Sequence, residues 1–125
     1  MTHLYLIRTI FICNYVLTDI LLIMRIWFDD IRVMPSGYDI HMVNAYEVIR
    51  AIQSGVVTSI SLDHDVGPEW QYGNGYMIAK AIEEAAFHDT IPRLTWAIHS
   101  QNSVGVASMW QALENADRFW TSHGK

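Results

Sequence analysis

The sequence predicts an α/β domain built on a mostly parallel sheet of about four strands flanked by helices. Three observations carry this. Short apolar runs of β-type residues alternate with amphipathic helical stretches, and Gly, Pro or Asn punctuation separates them. The most chemically loaded clusters, Asp29-Asp30, Asp63-His64-Asp65 and His99-Ser100, each follow directly after such a run. A parallel sheet would bring all three to one edge, beyond the carboxyl ends of its strands, where ligands of such sheets collect.

Taken in order, Arg25 to Phe28 is a short strand that ends in Asp29-Asp30, with Pro35 and Gly37 breaking the chain soon after. Asp39 to Val43 reads as a second short strand. Asn44 can cap a helix over Ala45 to Ser54, whose Val48, Ile49 and Ile52 share a face and which Gly55 ends. Val56 to Leu62 is β-branched and reads as a buried strand. After Asp63-His64-Asp65 comes a loop with Gly67, Pro68, Gly73 and Gly75. Tyr76 to His88 is an amphipathic helix, with Ile78, Ala79, Ile82 and Ala86 on one side and Lys80, Glu83 and Glu84 on the other. Leu94 to Ile98 is the next strand. Val104 to Trp120 is the last helix, capped by Asn102 or Ser103, with Val106, Met109, Trp110 and Leu113 as its expected inner face.

The 125 residues make one domain, and 51% apolar with 17% charged residues is a composition that folds. A net charge of −5 argues against non-specific binding to nucleic-acid backbones or anionic lipid, so a nucleotide partner would have to be recognised locally. The lone Cys13 excludes an intrachain disulfide framework and a Cys-rich zinc site, and the cytoplasm is the expected compartment. Oligomeric state is left open.

Residues 1–23 stand apart, being apolar except for a few polar positions that include Arg8, Asn14 and Asp19. Those three residues count against a membrane span, and neither a basic start nor a small-residue cleavage site marks a signal peptide. An extra helix, or a stretch upstream of a natural start at Met24, remain as readings. The domain proper is taken as 24–125, and Arg8 and Asp19 cancel, so its charge is the same without the extension.

Carboxylates converging at a strand edge repel unless one is protonated or a cation lies between them. Asp29, Asp30, Asp63 and Asp65 are therefore candidate ligands of a divalent metal, Mg²⁺ or Mn²⁺ by their oxygen donors. His64, His99 and Ser100 are candidate catalytic groups. Arg32 could hold a phosphate through its two-pronged guanidinium, while Gly73 and Gly75, ahead of a helix, could offer backbone N–H groups to an anion. Trp70 and Tyr72 could stack on a base. The competing reading of each cluster is a strand-end cap, in which Asp accepts backbone N–H bonds. Trp27, Trp96 and Trp110 read as core, and His3, His41, His88 and His123 as surface or terminal. Helical His-Asp phosphohydrolases and two-motif His-x-Ser/Thr phosphoesterases fit less well, because His64-Asp65 follows a β-run and His99 and Ser100 are adjacent.

Four motifs in fixed order, W-F-D-D-I-R-x-x-P at 27–35, S-L-D-H-D at 61–65, G-x-G-Y at 73–76 and H-S-x-N-x-x-G at 99–105, resemble those of the cyclic-phosphate-processing receiver-like domains. These are small bacterial and phage proteins related to response-regulator receivers. The resemblance implies a receiver-like, flavodoxin-like fold from about Arg25 to Trp120, and processing or binding of the cyclic phosphate of a nucleotide or RNA end. By position it implies Asp29, Asp30, Arg32, Asp63, His64, Asp65, His99, Ser100 and Asn102 as the site. Ser103 departs from the family pattern, which often has Pro there. Two activities follow as expectations: metal-assisted hydrolysis, or non-catalytic capture of a cyclic nucleotide signal, as a phage protein would use to silence a host defence. Phosphorelay is disfavoured, because a receiver needs a Lys ending a fifth strand, and only 26 residues, mostly one helix, follow His99.

Overall fold

The computed structural model describes residues 5–12 and 15–125, with side chains from Ile23 onward. His3 and Cys13 lie outside the described residues. Strands β1 (Tyr5–Ile12) and β2 (Tyr15–Leu22) pair antiparallel, with Arg8 opposite Asp19. The extra-helix reading of this stretch is therefore corrected: its Ile, Val and Thr residues favour extended backbone over helix.

The remaining elements are β3 (Met24–Phe28), β4 (Ile40–Met42), α1 (Ala45–Gln53), β5 (Val57–Leu62), α2 (Glu69–Tyr72), α3 (Gly75–Phe87), β6 (Thr95–Ile98) and α4 (Ser103–Ser122). The short turn of helix α2 was not expected. The four strands form one sheet in the order β4-β3-β5-β6, every pair parallel. This is a receiver-like α/β arrangement.

Parallel neighbours usually need a crossover helix, yet 29–39 joins β3 to β4 without one. A staple replaces it. The Arg25 guanidinium grips the Asp39 carboxylate at 3.0 and 2.7 Å, the Arg25 backbone N–H donates to the same carboxylate at 2.9 Å, and the Asp39 N–H donates to the Arg25 carbonyl at 2.7 Å.

Strand residues alternate between two different surroundings. Ile26, Phe28, Ile60 and Leu62 join the core with Val48 and Ile52 of α1, Ile78 and Ile82 of α3, and Met109, Leu113 and Trp120 of α4. The opposite parity, Arg25, Trp27, His41, Ser59, Ser61, Thr95 and Ala97, faces away from that core. Trp27 is buried as expected, but on this second face, apart from the main core cluster.

Helix α4 buries Met109 and Leu113 of its expected face but not Trp110. Trp110 is half-exposed and meets Trp96 edge to face at 5.0 Å, while Ala112, Ala116 and Trp120 turn inward. Small alanines on the buried face of a helix let neighbouring elements approach closely.

Candidate functional site

The sheet ladder continues one residue beyond each strand. Asp29 N–H donates to Met42 O at 3.2 Å, Asp63 N–H to Phe28 O at 3.0 Å and His99 N–H to Leu62 O at 2.9 Å. Backbone pairing thus holds the first residue of each polar cluster in one row at the carboxyl edge, although they come from three strands. One carboxylate oxygen from each of Asp29, Asp30 and Asp63 lies within 4.8 Å of the others, so these three could hold a metal ion.

Asp29 is fully buried, and every acceptor position on it is used. Its Oδ1 accepts from Ile31 N–H at 2.7 Å and Arg32 N–H at 2.9 Å; its Oδ2 accepts from Arg32 Nη1 at 2.9 Å and His99 Nε2 at 2.8 Å. Burial alone would raise its pKa. The Arg32 and Ile31 backbone N–H groups, the guanidinium and His99 overcome burial and hold it down at about 2. The His41 Nε2 also meets the Asp29 carbonyl oxygen, so His41, read as a surface residue, braces the acid's backbone from β4.

His99 faces inward. Because carboxylates only accept, its Nε2 carries the hydrogen toward Asp29, and in the neutral ring Nδ1 accepts from Ser61 Oγ at 2.7 Å. The ring stacks on Trp27 with centroids 3.8 Å apart and planes 6° apart. Burial lowers the His99 pKa despite the opposing pull of Asp29. The Ser61 and Trp27 partners were not foreseen, since a mid-strand Ser and a strand Trp carry no signal of which strand end they support.

Asp63 is nearly buried, with Oδ1 accepting from His64 N–H at 2.8 Å and Oδ2 3.4 Å from Arg32 Nη1. His64 Nδ1 donates to Asp65 Oδ1 at 2.9 Å. That leaves its Nε2 without a partner among the described residues. Asn102 caps α4 through Gly105 N–H at 2.9 Å and donates to Asp65 Oδ2 at 3.0 Å. The His64 and Asn102 bonds together lower the Asp65 pKa. Asp65 thus pairs with His64 and Asn102, and it stands outside the acid cluster suited to a metal.

A cavity of about 360 Å³ opens over this edge, lined by Asp30, Ile31, Arg32, Asp63, Asp65, Ser100, Gln101 and Asn102. Ser100 Oγ accepts from Asn102 N–H at 3.1 Å. Of the residues expected at the site, Asp30, Arg32, Asp63, Asp65, Ser100 and Asn102 line the cavity, whereas Asp29, His64 and His99 do not.

The glycines do different work from that expected. Gly73 N–H donates to Glu69 O at 2.8 Å and Gly75 N–H to His64 O at 2.9 Å, so neither offers its N–H to an anion. Gly73 has φ +69°, and a Cβ on Gly75 would lie 2.0 Å from the Asp63 carbonyl oxygen. Gly105 similarly makes room for His64, whose ring would be 2.5 Å from an added Cβ. Trp70 is exposed on α2, and neither it nor Tyr72 lines the cavity. Because backbone must move, Gly75→Ala is expected to destabilise the fold at or above the top of the ~1–3 kcal/mol range for overpacking. Urea unfolding measures this.

Acid should destabilise the fold. Asp29 is held below its usual 3.8, so its contribution is complete above that pH and is lost as pH falls toward 2. His99 is held below 6.5, so its contribution is complete above that value and declines as pH falls below it. Melting temperatures should fall from pH 7 to 5 and again to 3, with the first step reduced in His99→Gln.

The family model of the cyclic-phosphate processing receiver domain matches residues 24–115, well over half of the chain. The chain belongs to that family. The match begins with β3, and it takes in the acids, the His64 loop and the first two-thirds of α4. No curated protein and no solved structure matches the chain. Among the described residues, no helix is long and apolar enough to cross a membrane.

Proposed function

We propose that the domain hydrolyses the cyclic phosphate of a nucleotide or RNA end in the cavity above Asp29, Asp30 and Asp63. The observation that carries the reading is the composition of that cavity: a guanidinium, hydroxyl and amide groups, and an acid cluster lie together within the stretch that the family model matches. Arg32 uses Nη1 on the acids, and its remaining N–H groups are available to the phosphate oxygens. Ser100 and Asn102 orient the ligand. His64, with Nδ1 fixed by Asp65 and Nε2 unpartnered, takes a proton from the attacking water. The water oxygen bonds to phosphorus as one P–O bond of the ring breaks, the departing oxygen takes up a proton to become a hydroxyl, and the product is a phosphomonoester.

His99 serves as a positioning residue for Asp29, so the proton-transfer role expected for it passes to His64. Asp29, Asp30 and Asp63 would hold a Mg²⁺ or Mn²⁺ ion, which supplies charge neutralisation at the phosphoryl oxygens and a more acidic water. Asp65 is left to orient His64.

Capture without cleavage is favoured by one observation: His64 does not line the cavity, and Asp29, with both oxygens saturated, cannot act as the base in its place. Incubation with cyclic mono- and oligonucleotides and 2′,3′-cyclic ends, with Mn²⁺ or Mg²⁺, separates the two. Linear product supports hydrolysis; tight binding with intact ligand recovered after denaturation supports capture.

A further inference from the structure

We infer that the Arg32 guanidinium is the resident counter-cation of the Asp29–Asp63 pair, and that a divalent cation enters only by displacing it. Asp29 and Asp63 end neighbouring strands, and a single nitrogen, Arg32 Nη1, lies 2.9 Å from Oδ2 of one and 3.4 Å from Oδ2 of the other. That is the place between two facing carboxylates where their repulsion calls for positive charge. A divalent ion bound to these oxygens at roughly 2.0–2.6 Å would sit in contact with the same nitrogen, cation against cation. Both cannot occupy the pair.

The arginine is built to move. Its backbone N–H stays tied to Asp29 Oδ1 at 2.9 Å, which fixes the root of the side chain. The side chain is 38% exposed and borders the open cavity, and its Nε and Nη2 have no protein partner among the described residues. Displaced from the acids, the guanidinium is free to meet an anion in the cavity. Metal and anion are therefore coupled through one side chain. A ligand that draws Arg32 off the acids raises metal affinity, and by linkage the metal raises affinity for that ligand by the same factor.

This rests on the metal part of the proposed function and is independent of whether the phosphate is cleaved. The test is Mn²⁺ binding, by calorimetry on the full chain, in the wild type, Arg32→Gln and Arg32→Lys, with melting curves as the check on folding. Removing the guanidinium should tighten Mn²⁺ binding at least about tenfold, given the charge removed at contact distance. Adding Asp63→Asn to Arg32→Gln should abolish the gain. Should the glutamine variant not fold, Arg32→Lys carries the test, because a single ammonium does not reproduce the planar fork; tighter binding than wild type is expected there too. Measurable but equal or weaker binding in the folded variant overturns the inference and leaves the metal reading standing. No binding in any of the three overturns both.

Discussion

Asp29→Ala is expected to destabilise the domain by about 3–5 kcal/mol, the range for removing one partner of a buried charge pair. The loss is large because the acid is an acceptor for four donors at once: two backbone N–H groups, Arg32 and His99. Alanine leaves the loop after β3 without its organising carboxylate, and leaves a guanidinium and a half-buried imidazole facing each other. For a domain of this size that is a fall in melting temperature of more than about 10 °C. Asp29→Asn should be milder yet still destabilising, since its NH₂ group must face at least one of those donors. A melting temperature within a degree or two of wild type for Asp29→Ala would show that the acid is a free functional group and not the keystone of the edge.

Asp63→Asn should behave in the opposite way. Asp63 accepts one backbone N–H from its own neighbour and stands 3.4 Å from Arg32, a looser contact than Asp29 makes. The amide oxygen can keep the His64 N–H bond, so stability should change by less than about 1 kcal/mol. Function should not survive the change: the cavity loses a carboxylate that the metal needs, and turnover should fall by a factor on the order of 10²–10⁴. Melts with and without Mn²⁺ add an independent readout. Wild type should be stabilised by the ion and the variant should not respond; equal responses would remove Asp63 from the ligand set.

The sequence makes the four parallel strands, the three long helices and the row of polar clusters legible, because each rests on a local signal. Ile, Val and Phe runs mark the strands, Asn44 and Asn102 mark helix starts, and both cap as expected. The partners inside the site are not legible, because they depend on which face each side chain takes. Alternation says that Asp29 and Asp30 part company, but not that Asp29 is the buried one. Ser61 and His41 become partners of the edge only once β5 and β4 flank β3 in register, and no local pattern around Ser61 distinguishes it from Ser59. The glycines misled for a related reason. Gly73 and Gly75 precede or open a helix, where free N–H groups suggest an anion site, yet both N–H groups are spent on the Glu69 and His64 carbonyls, and Gly75 is required by close approach to Asp63.

Phosphorus NMR of a cyclic nucleotide or 2′,3′-cyclic end mixed with the protein and Mn²⁺ tests the central claim most directly. The account predicts that, for at least one such ligand, the cyclic resonance is replaced by that of a phosphomonoester with wild type, and that His64→Gln, still folded by its melting curve, leaves the resonance cyclic. Ligands that remain cyclic with wild type, while one of them binds in the cavity and shifts the Arg32 and Asn102 amide signals, would contradict hydrolysis and make the domain a receptor for the cyclic phosphate.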